Sequence, residues 1–301
     1  MRIERTPNTL LRTTPTTRRW SAGLIAGLLL AGCQPGPASP TPATPAPTTP
    51  PMPPSPALVA TAPGLTPPQR LRLLAGTITA APADRTIDLP YTYLHTQSWT
   101  RATNVITRSD LQRWRRDADD SGREVTRRLP DVHGLAHRPT PDERRQFATA
   151  GTKTTRYVSG ELEPYLPEPL TTDIAELVGA LAPRELAGEP AYPRMLVQGV
   201  IGVATSQYLN QEQRAAALGV LADVPAISYQ GEQTDLAGRT GLGFTVSADN
   251  SQTQLIVHPR TGEILSAQER VHGAKAGLFS YVLILEHGHT GTDTATLGGR
   301  P

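Results

Sequence analysis

The hydrophobic positions of this chain change period in blocks, and each change marks an element. Behind Thr66-Pro67-Pro68, a capping threonine with prolines suited to a first helical turn, Leu71, Leu74 and Ile78 recur at helical spacing and predict a short amphipathic helix. From Leu89 the period drops to two. Tyr91, Tyr93 and His95 alternate with Thr92 and Leu94, which predicts a strand to Trp99, and further strands follow over 104–116 and 123–129. Asp117 to Gly122 is a turn by its chemistry, so 104–129 reads as a hairpin. The segment His133 to Gly160 reads as a loop with one strand around Lys153 to Val158.

The middle of the chain turns helical. Thr171-Thr172-Asp173 caps a run of Ile174, Leu177, Val178 and Leu181; Met195 to Tyr208 is a second apolar helix; Asn210-Gln211-Glu212-Gln213 caps a third through Leu218 and Leu221. After Pro225 alternation returns in five segments, 227–234, 240–246, 254–258, 263–271 and 278–286, joined by short turns that imply an antiparallel meander. Leu242, Phe244 and Val246 face one side of it and Thr245 the other. The fold class that follows is α+β. A curved, half-barrel-like antiparallel sheet of about eight strands is covered by helices inserted between strands 3/4 and the C-terminal meander. Residues 66–290 form a single domain, and 291–301 a disordered tail.

Upstream of this domain the composition changes the picture. Leu30-Ala31-Gly32-Cys33 reads as a bacterial lipobox: arginines Arg12, Arg18 and Arg19 precede a short apolar run from Ser21, and small residues stand before the lone cysteine. The run is too short to cross a bilayer and suits a signal peptide over residues 1–32, with Cys33 as the lipidated first residue of the mature protein. Diacylglycerol on Cys33, with a further acyl chain on its amine, gives stable anchoring to the extracytoplasmic face of the cell membrane. Arg18-Arg19 leaves the export route open between the general and the twin-arginine pathway. Removing residues 1–32 takes away five arginines and one glutamate, a net +4, and turns the formal +2 of the chain into −2. The basic balance therefore belongs to the signal, and no nucleic-acid partner is expected. Fourteen prolines and no charged residue stand in 35–68, so the stretch 33–65 reads as a lipidated, disordered Pro/Ala/Thr spacer.

Candidate chemistry is sparse. No Gly-x-Ser-x-Gly elbow, phosphate loop or His-Glu-x-x-His helix occurs, so no catalytic residue, metal or cofactor is expected and the chain does not read as an enzyme. His287-Gly288-His289 and the pair His133 and His137 read as loop histidines, and His258, directly before a turn proline, as a turn cap. Arg113, Arg115, Arg123, Arg127 and Arg128 surround Trp114, but Asp110, Asp117, Asp119, Asp120 and Glu124 share the same hairpin, which reads as a solvated, cross-paired face.

Leu255 to Leu265, with Ala237 to Gly243 before it and the hairpin around Trp114 and Ser121-Gly122-Arg123, resembles a broad actinobacterial family of exported, membrane-tethered proteins with no established activity. The resemblance spans roughly residues 70–287. It implies an architecture similar to the half-barrel of lipoprotein carriers and of periplasmic sensors that bind lipid or misfolded protein. It supplies no catalytic residue, and Cys33 stands in place of that family's usual transmembrane anchor. Two functions are then expected: a protein-interaction, sensor or accessory module at the cell envelope, or a carrier of lipid or another apolar ligand. The carrier would hold its ligand on a concave face bearing Tyr91, Tyr93, Phe244, Tyr281 and Leu283. An apolar cavity of several hundred cubic ångströms between sheet and helices would favour the carrier, and a filled core the interaction module.

Overall fold

The computed structural model describes residues 63–82 and 89–297; the signal segment, Cys33 and nearly all of the proline-rich stretch lie outside the described residues. Helix α1 (Pro67–Ala80) starts as its sequence requires. Thr66 accepts from the Gln69 backbone while Gln69 reaches back to the Thr66 N–H, and prolines occupy the first turn. Three long strands follow, β1 (Tyr91–Ala102), β2 (Val105–Arg116) and β3 (Gly122–His133), then helix α2 (Pro141–Gln146), a 3-10 turn at Phe147–Thr149 and β4 (Thr152–Tyr157). Helices α3 (Ile174–Leu181), α4 (Tyr192–Ala204) and α5 (Gln211–Asp223) precede a meander of β5 (Ser228–Thr234), β6 (Thr240–Ala248), β7 (Ser251–Val257), β8 (Ile264–Val271) and β9 (Gly277–Thr290). Asp173 and Asn210 cap α3 and α5 through the backbone N–H groups three residues on. Helix α2 falls inside a segment whose sequence predicted only loop and strand; a capping box between Thr140 and Glu143 starts it.

All nine strands belong to one open antiparallel sheet in the order β4-β3-β2-β1-β9-β8-β7-β6-β5. The expected α+β sheet covered by helices is therefore present, with nine strands. Pairing of β1 with β9 welds the N-terminal hairpin to the C-terminal meander. Polar edge strands, Thr-Lys-Thr-Thr-Arg-Tyr in β4 and Ser-Tyr-Gln-Gly-Glu-Gln-Thr in β5, end the sheet on sequences that discourage further pairing.

The two sheet faces are covered differently. Leu242, Phe244, Val246, Leu255, Val257 and Ala267 meet the apolar sides of α1, α3, α4 and α5 in the main core. On the opposite face, Trp99, Ile106, Leu129, Tyr281 and Leu283 pack under Phe147. Glu143 secures this cover, accepting from the Trp99 indole at 3.1 Å and from Arg108 at 2.6 Å. A third, smaller cluster joins Tyr93, Trp114 and Val125.

Candidate functional site

A cleft opens where two neighbouring strands part. β8 and β9 pair from Val271 opposite Gly277 to Ser266 opposite Leu283, and beyond that point residues 284–290 pair with β1 alone. A bulge between His95 and Thr96 accommodates the extra residue of β9. The gap is walled by the segment between α4 and α5, the turn after β7 and the turn between β2 and β3. It forms an open cleft of about 1080 Å³ lined by Asp117, Glu168, Tyr208, Glu263, His287 and His289 among others.

His287 and His289 stand two apart on β9, so both imidazoles project from one face. This corrects their reading as loop residues: the strand continues through Thr290 because β1 pairs with it to the end. The Tyr208 ring lies 4.7 Å from His289 and 5.7 Å from His287. Nε2 of His287 is 3.4 Å from a Glu263 oxygen, and Nε2 of His289 is 3.6 Å from an Asp117 oxygen. Burial by itself would raise the Glu263 carboxyl; the hydrogen bond and charge of His287, a bond from Thr261 and the charge of Arg214 outweigh it and hold it at about 2. Arg214, itself buried, donates to the carbonyls of Thr261 and Leu209 at 2.7 Å each and so ties the turn after β7 to the start of α5. Gln207 clamps the other wall through the Leu166 backbone and Glu168.

Chemically the cleft offers carboxylates, imidazoles and a phenol, groups that exchange hydrogen bonds and charge with a polar ligand. No group of three or more His, Cys, Asp or Glu side chains is placed to hold a metal ion among the described residues. Beneath it, between Val200, Leu218, Leu221, Ile264 and Ile284, only about 20 Å³ is free, room for roughly one water.

The five residues expected to form one apolar ligand face do not share a space. Tyr91 and Tyr93 pack with Trp114; Tyr281 and Leu283 belong to the Trp99 cluster; Phe244 lies in the helix-covered core against Tyr229. Register explains the split. Leu283 pairs with Ser266, Ser266 with Ile256 and Ile256 with Gly243, so Phe244 points to the face opposite Leu283. Tyr93, Phe244 and Leu283 are completely buried.

The arginine-rich hairpin is cross-paired as its composition predicts. Arg113 meets Glu124 directly opposite it at 2.6 Å, and Arg127 reaches Asp110 at 3.1 Å. Arg115, however, is not solvated: it is buried, with Asp120 at 2.8 Å and Glu168 at 2.7 Å. His258 does cap its turn, its Nδ1 accepting from the Thr261 backbone at 3.1 Å. His133 ends β3, and His137 pairs with Glu143 at 3.1 Å.

No protein-family model matches the chain and no curated protein does. Among solved structures, one described as the crystal structure of MucB is similar at 11% identity and a TM-score of 0.25, over 66% of this chain and 53% of that one. This chain thus spans about half the length of that structure. Among the described residues, no helix is long and apolar enough to cross a membrane.

Proposed function

We propose that this chain is a lipid-anchored extracytoplasmic binding module of the cell envelope, a sensor or accessory protein whose cleft takes a polar, hydrogen-bonding segment of an envelope partner. The observation that carries the reading is the contrast between a sheet–helix interface with about 20 Å³ free and the adjoining open cleft of about 1080 Å³, into whose mixed lining Asp117, Glu168, Glu263, His287 and His289 bring hydrogen-bonding groups beside Leu89, Leu170 and Leu297. An acyl chain requires an apolar pocket of roughly 300 Å³ or more. Of the aromatics that would have lined one, Tyr93, Phe244 and Tyr281 are packed as core and Tyr91 is half-buried against the Trp114 cluster. Cys33 and the segment before it support the anchor, and the proline-rich spacer the reach from the membrane.

Native mass spectrometry of the mature chain, gently extracted, tests the choice of ligand. The expected mass is the polypeptide plus the acyl groups on Cys33; one further lipid per chain, lost on collisional activation, would overturn the reading. A photo-crosslinking residue in place of Tyr208 should give one defined envelope-protein adduct in cells, weakened by His287→Ala with His289→Ala. The same probe at Leu186, exposed and not part of the cleft lining, should not.

A further inference from the structure

Residues 291–297, expected to form part of a disordered tail, lie across the sheet on the face opposite α1, α3, α4 and α5. The Trp114 indole N–H donates to the Ala295 carbonyl at 2.7 Å, and Arg123 donates to the Asp293 carbonyl at 3.0 Å. Two carbonyls two residues apart are thus read by side chains of adjacent strands, which suits an extended peptide and is indifferent to most of its side chains. One side chain is read as well, because Arg156 donates to the Asp293 carboxylate at 3.1 Å. Leu297 then reaches Gly288 of β9, where a Cβ would stand 2.9 Å from its Cδ1.

The floor beneath this segment carries a second signal. Arg123 of β3 and Arg156 of β4 are direct partners in the ladder, and like charges directly opposite one another destabilise a sheet. An anion between them removes that cost. Asp293 supplies it here with a carbonyl and a carboxylate. Arg123 also lies 5.3 Å from the Trp114 ring centre, so indole donor, guanidinium and aromatic surface form one strip.

We propose that this strip is a docking site for an extended, acidic segment of a partner protein, and that residues 291–297 are its resident competitor. The tail holds its place thinly. Thr292, Thr294 and Ala295 bring little apolar surface, Leu297 is 43% exposed, and the Asp293 pair is made to an Arg156 side chain 73% exposed, a setting in which ion pairs contribute little. A segment that keeps the carboxylate and adds a larger apolar side chain two residues later outcompetes it. Tethering gives the tail an effective concentration on the order of millimolar, so the site stays covered until such a partner arrives. Leu297 reaches the edge of the cleft, but the inference rests on Trp114, Arg123 and Arg156, none of which lines it, and His287 and His289 project from the other face of the sheet.

The test uses a fluorescent peptide with the sequence of residues 290–297 and the full chain carrying Cys33→Ala for solubility. Wild-type tail should keep binding weak, and Asp293→Lys in the chain should strengthen it at least tenfold, because the lysine opposes Arg123 and Arg156. Leu297→Asp, which loosens the tail without touching the arginines, should strengthen it in the same direction. In the Asp293→Lys chain, adding Arg123→Ala or Arg156→Ala should weaken binding about tenfold, and a peptide with lysine at the aspartate should not bind. Absence of saturable binding by both tail variants, with far-ultraviolet circular dichroism unchanged, would overturn the proposal. So would binding indifferent to the arginines, or a wild-type dimer that Asp293→Lys dissolves, which would make a second copy's tail the occupant.

Discussion

The half of the sheet under α1, α4 and α5 and the half under the short helix α2 share one ladder but are held by different forces. β6, β7 and β8 send Leu242, Phe244, Leu255 and Val257 into a continuous apolar core under α1, α4 and α5. β1, β2 and β3 are longer strands held by small aromatic clusters and by charge. Asp110, 3% exposed, accepts from His95 at 2.9 Å, Gln97 at 2.9 Å and Arg127 at 3.1 Å, and Arg115 gathers Asp120 and Glu168. Apolar burial is indifferent to pH; paired buried carboxylates are not. The cleft lies at the seam between them, where β9 leaves β8 and continues with β1 alone.

The sharpest way to break this contrast is to open the apolar half. Phe244→Ala removes a fully buried ring beneath the helices and should cost about 3–5 kcal/mol in urea unfolding. If it costs less than Tyr93→Ala in the small cluster across the sheet, the main core does not dominate stability. Next in size is Gly262→Val in the turn after β7. Gly262 has φ +70°, and a Cβ there would run into the end of Ile78 and stand 3.0 Å from Leu218, so strain and overpacking add to about 2–4 kcal/mol. A loss below about 1 kcal/mol would mean that α1 yields at no cost.

The charged half should fail first in acid. The Asp110 carboxyl is raised by burial but lowered further by His95, Gln97 and Arg127, and that of Asp119 in the turn after β2 is lowered by its hydrogen bonds with Ser121. A carboxylate with a depressed value contributes stability that is complete above its unfolded value near 4 and is lost as pH falls toward the folded one. Hydrogen exchange between pH 5 and pH 2 should therefore show amides of β1 to β3 losing protection before those of β6 and β7, and Asp110→Asn should flatten that difference. Simultaneous loss in both halves would erase the distinction. The smallest effect is expected at Arg260, exposed in the same turn as Gly262: Arg260→Ala should change stability by less than about 0.5 kcal/mol, and a larger loss would mark that turn as a contact site.

What the chain states locally could be read without a structure. Period-two alternation placed the strands of the meander; Thr66, Asp173 and Asn210 marked helix starts by capping chemistry; Pro259 and Gly262 marked the reversal that closes with the His258 N–H donating to Glu263 at 2.8 Å. Each depends on a few neighbouring residues, and a few neighbouring residues suffice to decide it. Which face a strand residue meets depends instead on registers summed over every ladder between it and its supposed companions. That sum put Phe244 on the face opposite Leu283, and the bulge between His95 and Thr96 likewise shifted β9 against β1 without any sequence mark. The same holds for the cleft. His287 and His289 gained Tyr208, Glu263 and Asp117 only when β9 outran β8, and Asp293 found Arg123 and Arg156 only after the sheet had brought β3 and β4 together, because contacts between residues distant in the chain are chosen by packing and not by local pattern.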